Sequence, residues 1–134
     1  DAEFLRFGSI HRNSYLNSPA ALGPGLTARD NDRLLFAGQL TGVEGYTESL
    51  GTGLLAGINL ARRLEGKPMA VPPPTTMLGG LYRYLAEADP KHFQPMNANF
   101  GLLDPLPGKV KKQDRKAEQA ARALEEMARW VRAL

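Results

Sequence analysis

Cysteine is absent from all 134 residues, which excludes disulfides, thiolate metal ligands and a cysteine nucleophile within this stretch. No metal site is expected. No apolar run approaches the roughly 18 residues that a membrane span needs, so none is expected, and the lack of cysteine fits a cytoplasmic location. Neither sign of charge dominates: 17 basic against 14 acidic residues give a formal +3, too mild by itself to imply nucleic acid. The basic N-terminal region, apolar core and cleavage site of a secretory signal are missing. The chain opens on Asp1 rather than Met, and its first segment reads like mid-protein sequence. A chain of this length amounts to one domain at most.

Glycine and proline are plentiful, at 14 and 10 residues, which predicts much irregular structure supported by something else. The most informative stretch is 34–66. Leu34–Ala37 is an apolar run expected to form a buried strand. It stops at Gly38-Gln39, a glycine-punctuated turn follows, and a long apolar helix then ends near Gly66 with Pro68 beyond. Strand, turn and helix N-terminus together make an anion cradle, because free N–H groups and the positive end of the helix dipole face one point. A phosphate or an electron-rich ring edge suits such a place. Gly51, Gly53 and Gly57 together cost this helix roughly 3 kcal/mol relative to alanine. Burying Leu50, Leu54, Leu55, Ile58, Leu60 and Leu64 returns on the order of 9–18 kcal/mol before ordering entropy. The helix is therefore expected in a protein interior, its glycines admitting either a ligand or a closely packed backbone.

The remaining segments are arranged around this unit. Residues 3–7 suggest a short strand, and 11–19 an extended stretch turning at its Asn/Ser/Pro cluster. Pro72-Pro73-Pro74 is a stiff spacer, after which Thr75 or Thr76 caps a short helix through Ala86. Residues 89–108 carry four prolines and no helical period, and read as a long loop laid over a surface. From Asp114 to Leu134 apolar positions 117, 121, 124, 128 and 131 predict an amphipathic helix docking that stripe on a core. Glu118–Arg122 and Glu125–Arg129 are spaced for helical ion pairs.

Three separated motifs resemble one family. Phe36-Ala37-Gly38-Gln39-Leu40-Thr41-Gly42-Val43-Glu44-Gly45-Tyr46, continued by Glu48-Ser49 and Gly53-Leu54-Leu55-Ala56-Gly57-Ile58-Asn59, is similar to the C-terminal flavin motif of the GidA-like flavoproteins. His11 to Pro19 and Phe93-Gln94-Pro95-Met96-Asn97-Ala98-Asn99-Phe100-Gly101-Leu102 resemble one branch, the folate- and FAD-dependent tRNA (uracil-5-)-methyltransferases (TrmFO/Gid). The larger GidA branch usually carries Asn-Gly-Thr-Thr-Gly-Tyr where this chain has Thr41 to Tyr46.

The resemblance implies formation of 5-methyluridine in the T-loop of tRNA. Methylenetetrahydrofolate is the carbon donor, and FAD is recharged by NAD(P)H. The GxGxxG turn and the cysteines of that family are not in this chain, so the catalytic cysteine nucleophile is expected upstream. The implied fold class is α/β: residues 27–134 as the C-terminal part of a Rossmann-like FAD-binding domain, residues 1–26 as the end of an inserted domain. The implied partners are tRNA and the N-terminal remainder of the same protein. This segment alone is expected to be inactive.

Within that frame Gly38, Gln39, Thr41, Gly42, Val43, Glu44, Gly45 and Tyr46 are the candidate FAD-contacting residues. Backbone N–H groups of the turn face the flavin or its pyrophosphate, and Gln39 uses its amide. Glu44 either hydrogen-bonds pterin nitrogens or closes a capping box with Thr41. His11 and Arg12 are folate candidates, through ring stacking and carboxylate pairing, unless they are a structural or surface pair. His92 is expected to be solvated. Asn97 and Asn99 either serve a loop over the active site or simply form turns. Lys109, Lys111, Lys112, Arg115 and Lys116 either track tRNA phosphates or form a solvated approach to the last helix. Two other classes remain open: a GidA-type enzyme modifying the tRNA wobble uridine, and a non-catalytic RNA-binding or interaction domain.

Overall fold

The computed structural model describes residues 14–134, so the strand expected at 3–7 lies outside the described residues. A first helix, α1 (Ser18–Ala21), is followed by 3-10 turns at Pro24–Leu26 and Gly38–Thr41. Then come α2 (Tyr46–Leu64), α3 (Met77–Glu87), a further 3-10 turn at Phe100–Leu102, and α4 (Arg115–Arg132). Leu22, Leu26, Val43, Leu55, Leu81, Tyr82, Leu85 and Phe93 form the core, so residues on both sides of position 26 share it.

The expected strand at Leu34–Ala37 is a correction. The run is extended, but Leu34 is exposed and the segment folds back on residues 26–28. Ala28 N–H donates to the Leu34 carbonyl at 2.9 Å and Phe36 N–H to the Leu26 carbonyl at 2.9 Å. This yields a single antiparallel bridge, Thr27 to Leu35, and among the described residues only isolated bridges occur. Pairing with this local neighbour occupies one hydrogen-bonding edge of the run, and no described segment pairs with the other.

The fully buried helix also needs correction. The core-facing line of α2 is Thr52, Leu55 and Asn59, while Leu50, Leu54, Leu60 and Leu64 are exposed. The buried polar pair is fully engaged. Asn59 Nδ2 donates to the Ala70 carbonyl at 3.0 Å, and its Oδ1 accepts Ala70 N–H at 2.6 Å. One side chain thereby satisfies both backbone groups of a buried residue in the chain that returns from α2.

Thr76 caps α3 as expected, accepting Gly79 N–H at 3.0 Å. A Cβ at Gly79 would stand 1.9 Å from the Pro73 carbonyl oxygen, so the proline spacer lies directly on the helix backbone. Helix α4 occupies the expected span but presents a different face. Ala117, Ala121, Leu124, Ala128 and Val131 are exposed, whereas Gln119 is buried and Arg122, Glu126, Met127 and Trp130 are half-buried. Three alanines give the expected stripe little area to bury. The opposite face offers Trp130 to the core and polar anchors besides. Thr75 Oγ1 donates to Glu126 at 2.8 Å, and Arg122 donates to the Pro105 carbonyl at 2.9 Å. Arg122 is thus drawn away from the expected Glu118 pair, while Glu125–Arg129 forms at 2.8 Å.

Candidate functional site

The turn between residues 38 and 45 is built on buried hydroxyls. Gly38 N–H donates to Thr52 Oγ1 at 3.0 Å, and that hydroxyl donates in turn to the Glu48 carbonyl at 3.0 Å, tying the turn to α2. Thr41 Oγ1 donates to the Gly38 carbonyl at 2.8 Å, and Ser18 Oγ donates to the Thr41 carbonyl at 2.7 Å. Gly42 and Gly45 take φ of +81° and +97°, values open to glycine and strained for other residues. Gly42 lies on the Phe93 ring: a Cβ there would come within 2.6 Å of it. Gly45 is the N-cap of α2 and has no side chain to cap it, so the first N–H groups of a 19-residue helix face outward at its positive end.

The 89–108 segment is a loop, as expected, and it is latched to this turn. Glu44 N–H donates to the Met96 carbonyl at 3.0 Å, and Met96 N–H to the Gly42 carbonyl at 2.9 Å, making a parallel bridge from Val43 to Met96. Two residues on, Ala98 N–H donates to Glu48 Oε1 at 3.2 Å. Below the latch, Phe93 is held edge-on by Tyr15 at 5.9 Å and by a tilted Tyr84 at 5.6 Å.

Between turn, helix and loop lies an open cleft of about 350 Å³, lined by Gln39, Val43, Glu44, Gly45, Tyr46, Ser49 and Asn97. Five of the eight flavin candidates therefore meet at one place. Gly38, Thr41 and Gly42 lie outside the lining, as the support beneath it. Two further residues line it: Ser49, part of the flavin-like motif though not among its candidates, and Asn97, whose alternatives were a loop over the active site or a simple turn. Ser49 shares the Tyr46 face one helical turn on, a spacing that was readable. Asn97 arrives only through the latch.

Glu44 is exposed at the cleft, and its capping box with Thr41 does not form: α2 starts at Tyr46, and the Thr41 hydroxyl is spent on Gly38. His11 and Arg12 lie outside the described residues. His92 is exposed, as expected, and its Nδ1 lies 2.7 Å from Asp89 Oδ2. The Asp89 carboxyl is held below its usual range, first by the Lys91 backbone N–H and then by His92. Lys109, Lys111, Lys112, Arg115 and Lys116 are all exposed. Arg115 and Lys116 border a second groove, of about 560 Å³, with Phe100, Leu103 and Gln119. The Lys116 ammonium stands 5.9 Å from the Phe100 ring centroid, at the outer limit of a cation–π contact.

At about 350 Å³ the cleft lies at the small end of the roughly 300–1,000 Å³ that ligand pockets span. It brings together the start of α2, with the Glu48 carboxylate folded over Gly45, and the side chains of Gln39 and Asn97. Among the described residues no group of three His, Asp or Glu could hold a metal ion, and no helix is long and apolar enough to cross a membrane.

The family model described as glucose inhibited division protein A matches residues 1–68. Curated relatives named methylenetetrahydrofolate–tRNA-(uracil-5-)-methyltransferase TrmFO match nearly all of the chain. The protein of Geotalea daltonii is 53% identical over 129 residues, covering 96% of this chain and 30% of the relative. That of Geobacter sulfurreducens is 54% identical over 130 residues, covering 97% and 30%. That of an Exiguobacterium species is 52% identical over 133 residues, again covering 97% and 30%. The chain spans about 30% of the length of these relatives.

Proposed function

The chain belongs to the glucose inhibited division protein A family, and from that membership we propose that it is part of an enzyme forming 5-methyluridine in the T-loop of tRNA. The observation that carries the proposal is the cleft at the N-terminus of α2, where five flavin candidates converge on outward N–H groups. The names of relatives about half identical over nearly the whole chain support the same activity.

In this account the fold is the C-terminal part of a Rossmann-like FAD-binding domain from residue 27, with residues 1–26 ending an inserted domain. Bound FAD, reduced by NAD(P)H, supplies electrons, and methylenetetrahydrofolate supplies the carbon. The chain's own residues bind and orient. N–H groups at Gly45, Tyr46 and Thr47 and the helix dipole favour the negative charge that flavin reduction builds at its pyrimidine edge, opposed in part by the Glu48 carboxylate that folds over Gly45. Gln39 offers its amide to the same edge. Glu44, exposed at the cleft, is assigned to the folate, as a carboxylate that would accept from pterin N–H groups. The catalytic cysteine nucleophile comes from the N-terminal remainder of the protein. Lys109, Lys111, Lys112, Arg115 and Lys116 track tRNA phosphates without reading sequence. Cytoplasmic location follows from the substrate.

The test uses the full-length protein. A visible flavin spectrum near one FAD per chain, and folate-dependent methylation of a T-loop transcript, are expected. Flavin without T-loop methylation, but with modification of an anticodon transcript, would transfer the chain to the wobble-uridine branch. Absence of flavin would reject both enzymes.

A further inference from the structure

We propose that Asn97 is a binding residue for the lactam edge of a nitrogen heterocycle, an N–H beside a carbonyl, and that Glu48 is the positioning residue that holds it there. The inference rests on the functional reading above and extends it to two residues that the flavin motif leaves without a role.

Two asparagines stand close together in the loop, and the structure separates their jobs. Asn99 is spent on local geometry: its Oδ1 accepts Gly101 N–H at 2.9 Å and its Nδ2 donates to the Asn97 carbonyl at 3.0 Å. The Asn97 carboxamide makes no side-chain hydrogen bond with a described residue and borders the cleft. Its Nδ2 lies 3.1 Å from where a Cβ on Gly45 would stand, directly over the bare α-carbon of the α2 N-cap. A carboxamide carries one acceptor oxygen and two donor hydrogens on one planar group, which matches a lactam edge with two parallel hydrogen bonds. Gln39 brings a second amide to the same cleft.

Asn99 shapes the loop locally, and two long-range bonds fix where it sits against α2. Asn97 sits between two anchors, the Val43–Met96 backbone bridge on one side and the Ala98 N–H bond to Glu48 on the other. Glu48 is the third residue of α2, and its Oε2 lies within 2.1 Å of the site a Gly45 Cβ would occupy, so the carboxylate folds over the N-cap. A carboxylate there is favoured by the helix dipole and has one oxygen left to hold the loop. Flavin and pterin both display a lactam edge. The shared chemistry is what the geometry specifies, and the source is an experimental arm.

The test measures FAD dissociation and the folate KM and kcat in full-length wild type, Asn97→Ala, Glu48→Ala and Glu48→Gln proteins. Asn97→Ala is expected to weaken one constant roughly tenfold, as the loss of a bidentate pair of neutral hydrogen bonds would. A raised FAD dissociation constant places the flavin edge against Asn97. A raised folate KM with unchanged kcat and full flavin places the pterin there. Glu48→Ala should reproduce the Asn97→Ala defect in the same constant. Glu48→Gln keeps an oxygen that accepts Ala98 N–H, and should restore it to within about twofold. Asn97 is exposed, so its alanine variant should keep the wild-type melting temperature, which serves as the folding control. Wild-type activity with both constants unchanged in Asn97→Ala overturns the binding role alone. Glu48→Gln as impaired as Glu48→Ala overturns the positioning role, and a wild type without flavin overturns the functional reading and this inference together.

Discussion

Replacing Gly45 by alanine perturbs the site at the point where its backbone is most constrained. At φ of +97° and ψ of 142° the residue occupies a region that side chains rarely adopt, so alanine carries strain of about 1–3 kcal/mol. The added methyl would stand 2.1 Å from Glu48 Oε2. The carboxylate is the end of a flexible side chain and can swing away, but doing so surrenders the Ala98 N–H bond. That bond is half-buried, and its loss adds about 1 kcal/mol. The expected total is roughly 2–4 kcal/mol of destabilisation, read by urea unfolding of the full-length protein. Reduced FAD occupancy should accompany it. A double-mutant cycle isolates the second contribution: with Glu48→Ala already present, Gly45→Ala should cost about 1 kcal/mol less, because the bond is already gone. An alanine variant that unfolds like wild type and keeps full flavin would refute the constrained turn, and additive cycle energies would refute the Glu48 contribution.

Three other perturbations test separate parts of the structure. Asn59→Ala should cost about 2–4 kcal/mol in urea unfolding, since both backbone groups of buried Ala70 lose their partner; a loss below about 1 kcal/mol would mean that water replaces the amide. Tyr82 is buried with no hydrogen-bond partner for its hydroxyl among the described residues, and burial pushes its phenol above the usual range. Tyr82→Phe should therefore leave the melting temperature unchanged or raise it, whereas a clear drop would reveal a partner for the hydroxyl. Converting Lys109, Lys111 and Lys112 together to glutamine should reduce the salt slope of tRNA affinity by about 2–3, and an unchanged slope would remove these lysines from the RNA surface.

The elements governed by local chemistry were legible in the sequence. Thr76 announces the start of α3 because a threonine hydroxyl suits an N-cap, and Gly66, with φ of +70°, marks where α2 has ended. The long proline-bearing loop and the span of α4 were equally readable. What stayed hidden depends on separation along the chain. Glu48 and Ala98 are 50 residues apart, so no local pattern announces their bond. The bridge from Val43 to Met96 is hidden for the same reason. Periodicity also misjudged two helix faces. In α4 it favoured a stripe of alanines over the face with Trp130 and Arg122, because counting apolar positions ignores how much each can bury. In α2 it grouped the leucines as core, while Thr52 and Asn59 hold the inner face through hydrogen bonds that hydropathy does not register.

Hydrogen–deuterium exchange of the full-length protein, with FAD bound and with FAD stripped, tests the central claim most directly. The account predicts that amides of residues 45–47 exchange more slowly when the flavin is present, because the outward N–H groups at the start of α2 acquire an acceptor. Flavin binding that leaves exchange in residues 45–47 unchanged while protecting other segments would contradict it.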